Sequence, residues 1–123
     1  MKNPDIVNLV NNGILGLTWH DLDPKDAYQV FLFKRAVSKA YEEFKQKRDG
    51  IDEKLFSELM SEEVTLDGFK PISWDAYCRL ANENKNISVN LVDEKGKELS
   101  IKCDPLIGFV GLLENVLWEE PKE

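Results

Sequence analysis

Apolar residues recur at helical spacing between Lys25 and Asp49, where Val30, Phe33, Val37, Ala40, Tyr41 and Phe44 fall on one face. Asp23-Pro24 opens that interval and Gly50 closes it, with no Gly or Pro between. Asp suits an N-cap, Pro is pre-set for the first turn, and Gly suits the left-handed residue that ends many helices. Lys45, Lys47 and Arg48 sit where the helix dipole favours cations. The pattern predicts one long helix from Pro24 to Asp49. Tyr28, Phe31 and Leu32 lie off its main face, so its first half is apolar nearly all round. A helix of that kind is expected to be covered, here by the apolar connector from Ile14 to Leu22.

Shorter patterns flank this helix. Asn3-Pro4 is a cap for a helix carrying Ile6, Val7, Leu9 and Val10, closed by Asn11-Asn12-Gly13. After Gly50, Asp52 caps a helix with Leu55, Phe56, Leu59 and Met60, and the tight connection predicts a helical hairpin. The runs Glu63-Val64-Thr65-Leu66 and Phe69-Lys70-Pro71-Ile72 flank Asp67-Gly68, the pattern of a β-hairpin with a type I′ turn. Pro71 confines the second run to a short or edge strand.

Ser73 caps a helix through Trp74, Tyr77, Cys78 and Leu80 that ends near Asn84. A second hairpin follows: Ile87, Val89 and Leu91 alternate, Asp93-Glu94-Lys95-Gly96 turns, and Leu99, Ile101 and Cys103 alternate back. Its single apolar face needs a helix to lie on. Asp104-Pro105 repeats the opening of the long helix and predicts a C-terminal helix to about Trp118. Leu106, Phe109, Val110, Leu113 and Leu117 share one face of it, and Gly108, Gly111 and Asn115 the other. Two interior glycines cost a helix about 1 kcal/mol each relative to Ala, and intramolecular close packing is the favoured reason for them. Residues from about 118 to 123 read as a frayed tail. The fold class is α+β: a single domain over residues 1–123, with a long central helix in a helical hairpin, two short antiparallel β-hairpins and a C-terminal helix.

Charge changes the picture more than composition does. The chain has 123 residues and a net charge of −7. Residues 24–49 are net basic, so the excess acid lies in residues 50–123. Such a surface repels phosphate, which argues against nucleic acid as a partner and for a protein partner, with a basic protein as one candidate. Carboxylates must mostly face water, and Glu62, Glu63, Asp93 and Glu94 are the candidate protein-binding residues of that acidic surface. No apolar run is long enough for a membrane span and the amino terminus lacks a signal-peptide pattern, so a cytoplasmic location is expected.

Catalytic chemistry is sparse. There is no phosphate-binding glycine loop, HExxH or GxSxG. His20, the only histidine, stands beside Asp21, as an oriented base would, yet without a nucleophile motif a turn residue is the better reading. Cys78 and Cys103 belong to no metal-ligand cluster; two buried thiols in a reducing cytosol are favoured, with a disulfide between them left open. No catalytic, cofactor or metal site is assigned.

Leu17 with Leu22, Ala27-Tyr28, Glu42-Glu43-Phe44 and Arg48, Phe56-Ser57-Glu58-Leu59 and Glu63-Val64 together form a lead-in, a long helix, a short helix and a strand. In that order the segment from Leu17 to about Leu66 resembles a family of small proteins of unknown function encoded by tailed phages and prophages. The resemblance covers less than half of the chain, and the Ile87–Cys103 hairpin departs from it. It implies a mobile-element origin and a non-enzymatic accessory role, such as in virion assembly, and it supplies no active site. Two other readings compete. One is an acidic inhibitor or immunity protein that covers a basic toxin or nuclease surface. The other is a small hydrolase using unmarked carboxylates, which would need two of them converging in a cleft.

Overall fold

The apolar stripe of residues 25–49 forms the spine of the molecule. The computed structural model describes residues 1–120, apart from the side chain of Leu91. α1 (Asn3–Asn11) ends at Gly13, whose φ of 89° is left-handed, and one 3₁₀ turn, Ile14–Gly16, follows. α2 (Pro24–Arg48) is the long helix, and α3 (Glu53–Ser61) starts where the Asp52 carboxylate accepts the Leu55 N–H at 2.9 Å. β1 (Ile72–Ser73) runs straight into α4 (Trp74–Glu83), capped by Ser73 Oγ, which accepts the Ala76 N–H at 3.1 Å. β2 (Ile87–Val92) and β3 (Glu98–Cys103) form an antiparallel hairpin, and α5 (Val110–Leu113) and β4 (Trp118–Glu119) complete an α+β fold.

The core is continuous. Ile6 and Leu9 of α1, Val30, Phe33 and Val37 of α2, and Ala76, Tyr77 and Leu80 of α4 meet there with Leu106, Leu113, Leu117 and Trp118. Buried polar groups are matched, as burial requires. Asn3 lies inside α1 rather than at its cap, and its side-chain amide donates to the Leu59 carbonyl at 2.8 Å, tying α1 to α3. The cap position belongs to Lys2, whose backbone N–H is taken by the Asp5 carboxylate at 2.8 Å.

Several expectations are corrected. The first predicted hairpin does not form, although Gly68 does turn the chain at φ 89°. In its second run the donors at Lys70 and Ile72 are engaged elsewhere. The Lys70 N–H goes to the Gln29 side chain at 2.6 Å, Pro71 has none, and the Ile72 N–H goes to the Leu117 carbonyl at 2.8 Å. Phe69 instead sets its ring edge-on to Phe33, with centroids 5.4 Å apart. Glu63 bridges to Lys2, and β1 pairs in parallel with β4, Ile72 opposite Trp118. Among the described residues a single antiparallel hairpin, β2–β3, therefore stands where two were expected.

The predicted C-terminal helix contracts to α5. Asp104 Oδ1 accepts the Ile107 N–H at 3.1 Å, residues 105–109 stay as turns, and Asn115 takes a left-handed φ of 62°. The interior glycines make a full helix costly, while Trp118 is anchored by its indole N–H to the Val110 carbonyl at 3.0 Å. Leu106, Leu113 and Leu117 are nonetheless buried as expected. The glycine strip is tight at Gly108 only, where a Cβ would come within 3.2 Å of the Asp104 carbonyl oxygen, whereas a Cβ on Gly111 would meet nothing within 4 Å. Trp118 and Glu119 belong to β4 rather than to a tail, and residues 121–123 of that predicted tail lie outside the described residues.

The cover expected over the first half of α2 is also missing. Tyr28 is 58% exposed and Phe31 52%. The connector Ile14–Leu22 is drawn to the carboxyl end of α4 instead. The Glu83 carboxylate accepts the His20 and Asp21 N–H groups at 2.7 Å each, and Asn84 grips Thr18. Lys34 donates to the Leu17 carbonyl at 2.9 Å, so the connector passes the Lys34 side of α2 and leaves the Tyr28 side open.

Tyr77 of α4 is buried, its hydroxyl donating to the Leu106 carbonyl. Burial first, then Asp104 and Cys78, push its pKa up. A hydroxyl that ionises less readily when folded contributes stability that is fully present below the unfolded pKa of about 10 and is lost as pH rises beyond it. The urea midpoint should therefore fall above about pH 10, and Tyr77→Phe should flatten that fall while costing about 1 kcal/mol at neutral pH. An unchanged alkaline slope in Tyr77→Phe would assign the fall to other groups.

Candidate functional site

α3 has only nine residues, and its apolar side chains Leu55, Phe56, Leu59 and Met60 span more of its circumference than α1 and α2 cover. Leu59 is buried, but Leu55 is 49% exposed and Phe56 is exposed beside it. Where α3 folds back from the end of α2, Ile51, Leu55 and Leu59 line an open groove of about 670 Å³. Its rim is charged. Lys47 of α2 meets Glu62 at 2.9 Å, and Glu58 also borders the groove, with no ion pair or hydrogen bond of its own among the described residues. An apolar floor inside a small set of charges can take an apolar side chain and orient what flanks it.

A second groove, about 320 Å³, runs between α2 and the extended segment after α3. Leu32, Arg35, Lys39 and Glu43 line it with Thr65 to Gly68. Its lining is mixed in charge and less apolar, which makes it the weaker candidate for an apolar anchor.

The four acidic residues singled out from the sequence do not form one site. Glu62 lies on the rim of the α3 groove, engaged by Lys47. Glu63 lies 3.7 Å from the amino-terminal ammonium. Asp93 is spent on the hairpin turn, its Oδ1 accepting the Lys95 and Lys97 N–H groups at 2.9 and 2.8 Å. Glu94 sits exposed at that same turn, and no groove is lined by both pairs.

The α3 groove is bordered by two carboxylates, Glu58 and Glu62, the second paired with Lys47, and among the described residues neither groove is lined by His or Cys. His20 turns its imidazole to solvent while its backbone is held by Glu83. Cys78 is exposed rather than buried, Cys103 is half-buried, and the two are not bonded to each other. Among the described residues, no three His, Cys, Asp or Glu side chains gather as metal ligands would, and no helix is long and apolar enough to cross a membrane. The displaced pKa values lie elsewhere and have structural causes. Burial lowers Lys34, burial above all raises Tyr77, and the carboxylate of Asp75 raises Arg79.

The α3 groove escapes sequence reasoning because every apolar residue of a short amphipathic helix reads as core. The available signal was the width of the Leu55–Phe56–Leu59–Met60 arc beside a tight turn at Gly50. Comparison with protein-family models, curated proteins and solved structures finds no match to this chain.

Proposed function

We propose that this chain is a non-enzymatic binding protein that captures an apolar side chain of a protein partner in the groove between the end of α2 and α3. The observation that carries the reading is Leu55, a large apolar side chain half exposed over a groove floored by Leu59. The rim adds a preference. Glu58 carries no counter-charge among the described residues and Glu62 only one, so a basic residue flanking the apolar anchor is favoured. The acid excess of residues 50–123 acts in the same direction at longer range. The same preference suits an inhibitor of a basic toxin or nuclease surface. The phage or prophage accessory role rests on the resemblance over residues 17–66 alone. Two unpaired cysteines accord with a reducing cytosol as the location.

Selection from a random peptide library tests the reading. The selected peptides should share an apolar residue next to Lys or Arg. Leu55→Asp should weaken their binding about tenfold or more, and Glu58→Lys should discriminate against the basic flank. Selected peptides that bind Leu55→Asp as well as the parent protein would remove the groove from consideration.

A further inference from the structure

The β2–β3 hairpin meets the turn after α1 near its base. Gly13 and Gly16 of the turn after α1 lie against Ile87 and Val89, so closely that a Cβ on Gly13 would come within 2.8 Å of Ile87 Cγ2. Further along, Leu99 and Ile101 are 46% and 41% exposed on the apolar face. A lone two-stranded ribbon is marginal in water, and a third strand or a covering helix is what stabilises one.

The ladder fixes which groups of β3 face outward. The Asp93 N–H donates to the Lys97 carbonyl at 3.0 Å, which makes Asp93–Lys97 a pair of the closely bonded kind. Counting along the register, Leu91–Leu99, Val89–Ile101 and Ile87–Cys103 are bonded pairs as well. The backbone N–H and C=O groups of Glu98, Ser100 and Lys102 therefore point to the free edge. Their side chains share the face opposite Leu99 and Ile101.

These outward residues read the same charge pattern in both directions about one point. If β3 meets an antiparallel copy of itself centred on Ser100, Ser100 faces Ser100, Glu98 faces Lys102 and Lys102 faces Glu98. Every outward N–H and C=O of the three residues falls in bonding register, and each of the two outer pairs joins opposite charges. On the other face, Leu99 comes to lie beside Ile101 of the second copy, which extends the apolar strip. β2 has no such self-complementarity, since Ser88, Asn90 and Val92 occupy its outward positions and carry no charge.

We propose that two copies of this chain pair edge to edge along β3, about a two-fold axis at Ser100, to form a four-stranded antiparallel sheet. A closed two-fold contact of this kind also removes one exposed strand edge from each molecule. The pairing does not depend on the α3 groove, and variants at Leu55 leave it untouched.

Sedimentation velocity of the full chain between about 1 μM and about 1 mM tests it, that range spanning weak to moderate self-association. The parent protein should show a reversible monomer–dimer equilibrium. Ser100→Pro removes an outward N–H at an edge position that tolerates proline, and should leave a folded monomer. Glu98→Lys and Lys102→Glu should each weaken the dimer at least tenfold, by placing like charges opposite one another. An equal mixture of these two variants should associate again, because one variant then presents two cations to the two carboxylates of the other across the axis. Far-UV circular dichroism on each variant separates loss of pairing from loss of fold. A parent protein that stays monomeric throughout the range overturns the proposal. So does a dimer indifferent to Ser100→Pro, or a mixture that associates no better than either variant alone.

Discussion

Phe33→Ala should lower the free energy of unfolding by about 3–5 kcal/mol. Phe33 is fully buried at the middle of α2, where Val30 and Val37 carry the stripe one turn to either side. Truncation removes the transfer energy of the ring and leaves a cavity whose walls belong to several elements, so it cannot collapse along one of them. The edge-on contact with Phe69 is lost as well, and such pairs contribute about 0.5–1.5 kcal/mol beyond their buried area. Phe69 is only partly buried and lies in a segment without regular structure, so it is the neighbour best able to move into the space. That relaxation favours the lower half of the range. Urea denaturation measures the change directly, and a loss below about 1 kcal/mol would contradict a core built on this stripe.

The same stripe shows what was legible in the chain. α2 follows from local rules alone: a helical apolar period, a Pro at the first turn and a left-handed Gly50 at the end. The Asp52 and Ser73 caps, and the register of the β2–β3 hairpin around Asp93–Gly96, depend on residues within a few positions of each other, and all were readable. The failures are decided partly at long range and partly by local breaks in the pattern. Asp67-Gly68 makes its turn, but Ile72 finds Trp118, a residue far along the chain, rather than the neighbouring run. Leu106, Leu113 and Leu117 were correctly assigned to the core, yet three inward leucines do not require a helix. Leu106 and Leu117 are buried from turns, and only Leu113 from the short helix α5, with Asn115 left-handed just beyond it.

The candidate sites divide in the same way. Acidity was legible, its arrangement was not: Glu62, Glu63 and Asp93 spend their charge on Lys47, the amino terminus and a turn. Exposed apolar positions were misread throughout. Tyr28, Phe31 and Leu55 look like core in a sequence because hydrophobicity marks what can be buried, not what the finite number of neighbouring elements succeeds in covering. The outward face of β3 was available in the register of the second hairpin, but only the bonding phase of the ladder distinguishes its free edge from its paired one.

Asn84→Ala should cost about 2–4 kcal/mol, by the loss of hydrogen bonds to groups that have few alternative partners. Asn84 closes α4 and is buried. Its Oδ1 accepts the Thr18 N–H at 3.0 Å, and its Nδ2 donates to the carbonyls of Thr18 and Leu80 at 2.8 Å each. One amide thus holds both backbone groups of a residue in the connector that crosses from α1 to α2. Beside it, the half-buried Glu83 carboxylate holds the N–H groups of His20 and Asp21, two exposed residues of the connector that water also reaches. The two residues should therefore separate on mutation. Glu83→Gln keeps one acceptor for N–H groups of exposed residues and should cost about 1 kcal/mol, less than Asn84→Ala. Asn84→Asp keeps the acceptor for Thr18 but turns both donations into contacts between a carboxylate and carbonyl oxygens, so at neutral pH it should be at least as damaging as Asn84→Ala. Hydrogen exchange adds a local readout. The Thr18 amide should lose protection in Asn84→Ala beyond the global loss of stability, while amides in the middle of α2 should follow the global change alone. If Asn84→Ala costs less than about 1 kcal/mol and Thr18 protection merely follows the global change, α4 does not anchor the connector. The open Tyr28–Phe31 face would then need another cause.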